Sequence, residues 1–126
     1  MTITEKLKNE IIISVQAMPK EPLYKEECMK AMMQSVVNGG AKALRLAGAR
    51  DIKNAKKMFD IPVIGLTKPE QLPKNWIECV YITPSIKEVK QLIKAGADQM
   101  EKGNLKPFFS IYDIIIPKSK LDEIWK

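Results

Sequence analysis

Ile61-Pro62-Val63-Ile64-Gly65-Leu66-Thr67-Lys68 is an apolar, β-branched run that stops on a lysine. A run that is short, apolar and β-branched reads as a buried strand. Two other stretches have the same build. Ile11-Ile12-Ile13-Ser14-Val15 leads into Gln16, and Ala43-Leu44 leads into Arg45. If the three are neighbouring parallel strands, an amine, an amide and a guanidinium converge at one rim of the sheet. In α/β proteins the carboxyl-end rim is where substrates bind. Parallel pairing is thus the reading on which both fold and function turn.

The segments between the runs supply the crossovers that parallel strands need. Ala17-Met18-Pro19-Lys20-Glu21-Pro22-Leu23 is a loop, because two prolines interrupt helix and ladder alike. From about Tyr24 the period becomes helical, with Met29, Met32, Met33, Val36 and Val37 on one apolar stripe. Methionine in such a stripe is core filler. Asn38-Gly39-Gly40 stops that helix, since glycine accepts the left-handed cap conformation. Asp51 opens a short helix that turns Ile52, Ala55 and Phe59 inward.

Val80-Tyr81-Ile82-Thr83 reads as a fourth strand, and Ser85 with Glu88 as the capping box of a third helix. That helix buries Val89, Leu92 and Ile93 and closes at Ala95-Gly96. Gly40-Ala41 and Gly96-Ala97 both follow an amphipathic helix and precede a strand, which is the rhythm of a βα repeat. The loop Pro69-Glu70-Gln71-Leu72-Pro73-Lys74-Asn75-Trp76 breaks that rhythm, so strand four enters by an irregular crossover. Beyond Asp98 the texture changes. Residues 99–104 are polar, Phe108 to Ile116 is a dense apolar-aromatic run, and Leu121, Ile124 and Trp125 mark a last amphipathic turn. The expected organisation is a βα-repeat portion over 1–98 and a divergent tail over 99–126.

Composition narrows the chemistry. A chain of 126 residues is one domain by length, and 45% apolar with 29% charged residues is ordinary for a globular protein. No apolar run approaches the roughly 20 residues needed to cross a bilayer. The first residues lack the apolar core of a signal peptide, so the expected location is the cytoplasm. Cys28 and Cys79 stand outside any metal or redox spacing and read as reduced thiols. There is no histidine. That removes Ser-His-Asp and Cys-His chemistry and argues against zinc or non-haem iron. The net charge of +6 and pI near 9.3 raise nucleic-acid binding as a reading. It is disfavoured because every basic residue except Arg45 and Arg50 is a lysine, interleaved with acids.

Three residues carry the candidate chemistry. Lys68, leaving a buried strand, is placed to be partly desolvated, which lowers an amine's pKa towards that of a general base or Schiff-base nucleophile. The alternative is a lysine that snorkels from a strand end into solvent. Arg45 either fixes a carboxylate or phosphate or pairs with a surface acid. Gln16 either orients a sugar hydroxyl or satisfies loop backbone groups.

The stretch Ser14-Val15-Gln16-Ala17-Met18-Pro19-Lys20-Glu21-Pro22-Leu23-Tyr24 resembles the opening signature of the N-acylmannosamine-6-phosphate 2-epimerases. Gly39-Gly40-Ala41-Lys42-Ala43-Leu44-Arg45, then Asp51-Ile52, resembles that family's second strand and following helix. Ile61 to Lys68 and Val80 to Val89 continue the same order, so the likeness runs from about Ile11 to Asp98. It implies a TIM barrel that interconverts the 6-phosphates of N-acetylmannosamine and N-acetylglucosamine in sialic acid breakdown. By the same resemblance Lys68 matches the base that removes the proton beside the open-chain aldehyde, and Arg45 and Gln16 match substrate-contacting positions. No metal or organic cofactor is implied.

The departures are as specific. Val15 stands where the family commonly has cysteine, and Pro69-Glu70 where it continues Arg-Asp after the lysine. The family's Leu-Asp-Ala-Thr strand pattern is missing after Ala97-Asp98. The later glutamate that reprotonates from the opposite face and the phosphate cradle after strands seven and eight are missing too. The expected fold is therefore α/β, a partial TIM barrel of four or five parallel strands with a divergent tail.

Half a barrel leaves open edges and an apolar face. Three outcomes follow: a truncated epimerase with a makeshift tail, pairing with a second chain, or a tail over residues 108–125 that folds back on the face. The first is preferred, with the third as its structural rescue. The expected partner is a small-molecule sugar phosphate, with no nucleic acid and no membrane, and with a homodimer or a complementing carboxyl-terminal half-barrel to complete the site. The rival function is a non-catalytic sugar-phosphate-binding or assembly remnant of the family.

Overall fold

The computed structural model describes residues 2–76, 78–102 and 114–117. In chain order these form α1 (Ile3–Lys6), β1 (Ile12–Val15), a 3-10 turn (Pro22–Tyr24), α2 (Glu26–Asn38), β2 (Ala43–Ala47), α3 (Ala49–Met58), β3 (Val63–Leu66), α4 (Ile86–Ala95), β4 (Gln99–Lys102) and β5 (Ile114–Pro117). One sheet takes all five strands in the order of the chain. The first four run parallel, and β5 joins the edge of β4 antiparallel. The parallel α/β architecture expected from the three apolar runs is the one observed.

The registers sort the strand residues into two faces. Val15, Leu46 and Gly65 lie side by side on one face, with Leu44 beside Val63 below them. This face carries the core: Val15, Leu44, Leu46, Val63 and Met100 pack with Met29 and Met33 of α2, Ile52 and Ala55 of α3, and Val89 and Leu92 of α4. The apolar stripes read from the sequence thus point where helical periodicity puts them. Gly65 is the close-approach point. A Cβ there would lie 2.8 Å from Ile52 Cδ1 and 3.0 Å from Ala97 Cβ.

The opposite face carries Ser14, Arg45, Ile64, Gln99 and Glu101. Helix α1 lies against its lower end. Gln99 Nε2 donates to Thr4 Oγ1 at 3.1 Å, and Thr4, Leu7, Ile12, Ile64 and Gln99 border a cavity of about 490 Å³. Asp98 ties the lower end of the sheet to a helix. Its carboxylate accepts from the Val63 backbone N–H at 2.9 Å and from Lys56 Nζ at 2.8 Å, and its own N–H donates to Val63 O.

Three local expectations change. Val80–Thr83 is not a strand; it belongs to the irregular connection between β3 and α4. Thr83 sits at φ 45°, which no ladder residue can adopt. The strand after α4 is Gln99–Lys102 instead, following the Gly96-Ala97 turn, with Gly96 left-handed at φ 107°. Ser85 does stand at the N-cap of α4, but its hydroxyl binds the Glu88 carboxylate rather than capping a backbone N–H. That hydrogen bond, followed by one from the Glu88 backbone, holds the Glu88 carboxyl below the ordinary carboxylate range. A depressed pKa adds stability at neutral pH, which is lost as pH falls through the folded value. Finally, α3 begins at Ala49, two residues ahead of Asp51, with Gly48 as its N-cap. Leu121, Ile124 and Trp125, and the covering role expected of residues 108–125, lie outside the described residues apart from the backbone of β5.

Candidate functional site

Two of the three candidate side chains stand just past the carboxyl end of a parallel strand; Arg45, expected at a strand end, is instead the middle residue of β2, which continues to Ala47. Gln16 follows β1, Arg45 lies within β2, and Lys68 comes two residues after β3. A cavity of about 250 Å³ opens among these ends, bordered by Gln16, Met18, Tyr24, Gly48, Thr67, Lys68 and Gln91 among others. The structure therefore brings Gln16 and Lys68 to one cavity. A second cavity of about 230 Å³ shares Met18, Lys68 and Pro69 with it and continues to Tyr81 and Ile82.

Arg45 does not border either cavity; its side chain crosses the inner sheet face to Glu101. Nε donates to Glu101 Oε1 at 2.7 Å, and Nη2 pairs with Oε2 of the same carboxylate. Nη1 donates to Ser14 Oγ at 3.1 Å, and Gln16 Nε2 donates to the same hydroxyl oxygen at 2.7 Å. Arg45 is thus linked to Gln16 through Ser14. The side chain of Glu101 is 5% exposed and that of Arg45 25%, so the acid is enclosed while the base still reaches water. Gln16 Oε1 is buried and finds no donor among the described residues.

Lys68 is exposed at the mouth of the cavity. Its backbone is nevertheless held. Thr83 N–H donates to Thr67 O at 3.1 Å, and Thr67 N–H donates to Thr83 Oγ1 at 3.1 Å. This double clamp, made by a fully buried Thr83 in a left-handed conformation, fixes the residue just before the lysine. A β-branched side chain at positive φ is strained, and the clamp is what offsets the strain. Thr83→Ala is expected to destabilise by about 1–3 kcal/mol, the cost of leaving the Thr67 N–H without an acceptor. Thr83→Gly should cost less, because glycine takes positive φ freely. Urea unfolding of both variants measures the difference; equal losses would show that backbone strain contributes nothing.

The loop behind Gln16 is pinned as well. Arg50 stacks its guanidinium 4.2 Å from the Tyr24 ring centroid and donates to the Tyr24 carbonyl. Its Nε donates to the buried Asp51 at 3.1 Å, so the guanidinium ties the start of α3 to the 3-10 turn. Gly48, at φ 88°, makes the tight β2–α3 turn beside the cavity and donates to Leu66 O.

Glu101 and Ser14 escaped the sequence reading. The usable signal was alternation: Gln99-Met100-Glu101 places two polar residues on one strand face around a core methionine. A strand arginine such as Arg45 needs an acid on that same face.

A model of the family described as "NanE: Putative N-acetylmannosamine-6-phosphate epimerase" matches residues 29–101. That span holds Arg45, Lys68 and Glu101, and Gln16 precedes it. Among curated relatives, a protein of Mycoplasma mycoides subsp. mycoides bearing the name "Putative N-acetylmannosamine-6-phosphate 2-epimerase" is 40% identical over 78% of this chain and 42% of its own length. The protein of the same name from Caldanaerobacter subterraneus subsp. tengcongensis is 43% identical over 78% of this chain and 40% of its own. The solved N-acetylmannosamine-6-phosphate 2-epimerase of Clostridium perfringens, a TIM barrel, superposes with a TM-score of 0.67 at 32% identity, over 78% of this chain and 41% of that one. The chain spans about two fifths of the length of the relatives it matches. Four parallel strands in barrel order and a family match over residues 29–101 lead to one conclusion: this chain belongs to the N-acetylmannosamine-6-phosphate epimerase family, NanE.

Proposed function

We propose that the chain supplies one wall of an epimerase site for N-acetylmannosamine 6-phosphate and N-acetylglucosamine 6-phosphate, with Lys68 as base and Gln16 and Arg45 holding the substrate. The observation that carries this reading is the meeting of Gln16 and Lys68 at one cavity on the carboxyl ends of parallel strands, in a chain of this family. Among the described residues no helix is long and apolar enough to cross a membrane. The proposal places the protein in the cytoplasm, in amino-sugar and sialic acid breakdown.

The chemistry suits the parts. The neutral amine of Lys68 takes the proton from the carbon beside the open-chain aldehyde, and the electron pair of that C–H bond moves towards the carbonyl oxygen as an enolate. Donors near that oxygen lower the barrier. Returning the proton to the same face regenerates substrate. Inversion requires delivery from the other face, which the residues of a second half-barrel would furnish.

The experiment is incubation with N-acetylmannosamine 6-phosphate in deuterated water, followed by NMR. The expected result is deuterium at the carbon bearing the N-acetyl group, lost in Lys68→Met, with epimerisation appearing only when a complementing half is present. No exchange and no thermal shift with the sugar phosphate would sink the reading. A second reading, sugar-phosphate binding without turnover, is favoured by the exposure of Lys68. Binding without exchange would select it.

A further inference from the structure

Lys68 borders two cavities, and the chemistry of the ligand says what each can hold. A base acts on a reacting atom about 3–3.5 Å away. In these sugar phosphates the carbon that gives up its proton also carries the acylated nitrogen, so the acyl group has to lie in space adjoining the base. The remainder of the open chain is a row of hydroxyl-bearing carbons ending in phosphate. Such groups are costly to enclose without hydrogen-bond partners. The acyl tail is the apolar end of the ligand.

The two cavities divide along the same line. The one of about 250 Å³ is bordered by the Gln16 and Gln91 amides and by Thr67. The one of about 230 Å³ is bordered, beside Lys68, by Met18, Pro69, Leu72, Tyr81 and Ile82. Its walls are thus apolar apart from the lysine and the Tyr81 phenol. The cavity is also a held feature. The hydrogen bonds between Thr67 and Thr83, 3.1 Å each, fix the turn that carries Tyr81 and Ile82 to the strand end that carries Lys68. Its size exceeds an acetyl group. A water takes about 30 Å³, so this volume holds roughly seven or eight groups of that size, where acetyl has three heavy atoms.

We propose that the smaller cavity receives the N-acyl substituent of the sugar phosphate, that Leu72, Tyr81 and Ile82 are its specificity-determining residues, and that the site takes acyl chains longer than acetyl. The proposal rests on the sugar-phosphate reading above and on Lys68 as its base.

The test is calorimetric titration of the full chain with mannosamine 6-phosphates N-acylated by acetyl, propanoyl, butanoyl and pentanoyl groups. Each added methylene that leaves water should tighten binding roughly two- to fourfold, so the pentanoyl compound should bind roughly tenfold or more tighter than the acetyl one. In Leu72→Ser that ratio should fall severalfold, whereas a structural defect would weaken all the ligands alike and leave the ratio unchanged. Intermolecular nuclear Overhauser contacts should join the terminal methyl of the pentanoyl chain to Leu72 and Ile82. Affinity that stays level or falls from acetyl to pentanoyl, while the acetyl compound binds, overturns the acyl cavity and leaves the sugar-phosphate reading standing. A pentanoyl methyl in contact with Tyr24 and Ala47 of the larger cavity, or a ratio that Leu72→Ser does not change, overturns it as well. If none of the compounds binds, the sugar-phosphate reading fails and the proposal fails with it.

Discussion

Arg45→Leu is expected to cost about 3–5 kcal/mol of folding stability, the usual penalty for removing one partner of an enclosed ion pair. The reason lies in the unequal exposure of the two side chains, 5% for Glu101 and 25% for Arg45. Without the guanidinium the enclosed carboxylate loses the two charge-assisted hydrogen bonds that Arg45 gives it. The loss is a large share of the roughly 5–15 kcal/mol that holds an average domain together. Glu101→Leu should cost less, because the arginine left behind can turn its head to solvent. The double variant Arg45→Leu with Glu101→Leu should recover most of the loss, since two apolar side chains replace the pair without stranding a charge. Urea midpoints of the three variants measure this. A double variant no more stable than Arg45→Leu would show that the pair is not the source of the effect.

Gly65→Val is the second large effect. Gly65 faces the helices, and a Cβ there would meet Ile52 Cδ1 at 2.8 Å, Ala97 Cβ at 3.0 Å and Leu92 Cδ2 at 3.3 Å. Ile52 can swing its terminal methyl aside, but Ala97 has only its backbone to move. Overpacking of this kind costs about 1–3 kcal/mol for a modest insertion, which is the expectation for Gly65→Ala. Valine adds two methyl groups to the same space and should leave little folded protein at 37 °C. The origin can be isolated. Ala97→Gly in the Gly65→Ala background should return part of the stability, whereas Ala97→Gly alone should not stabilise. Thermal unfolding by circular dichroism reads all four chains. A Gly65→Ala chain as stable as the wild type would mean that α3 and α4 sit on the sheet with slack.

The parts of this molecule that periodicity controls were legible in its sequence. The stripe of Met29, Met33 and their neighbours, and the runs that became β1, β2 and β3, follow from side chains burying one face. Val80–Thr83 was misread because apolar, β-branched composition is a weak prior that tertiary context overrides. Its conformation is set by the Thr67–Thr83 clamp, and nothing in a local window announces that partner. The site divides in the same way. Gln16 and Lys68 could be placed at one rim from topology alone, and they border one cavity. Pairing of Arg45 with an acid was one of two readings, but Glu101 itself lies 56 positions away, and only the polar alternation of Gln99-Met100-Glu101 points to it.

The strands lie in the sheet in the order in which the chain makes them. Each parallel ladder therefore closes over a single strand–helix–strand unit, and closing a modest loop is entropically cheap. The sheet can grow by accretion, β1 to β4, with low contact order at every step. Among the described residues the longest-range side-chain hydrogen bonds join Arg45 to Glu101 and Thr4 to Gln99, across 56 and 95 positions. Both wait for β4. Both links between distant strands and segments therefore hang on the last parallel strand, and a chain shortened to end before Gln99 would form neither.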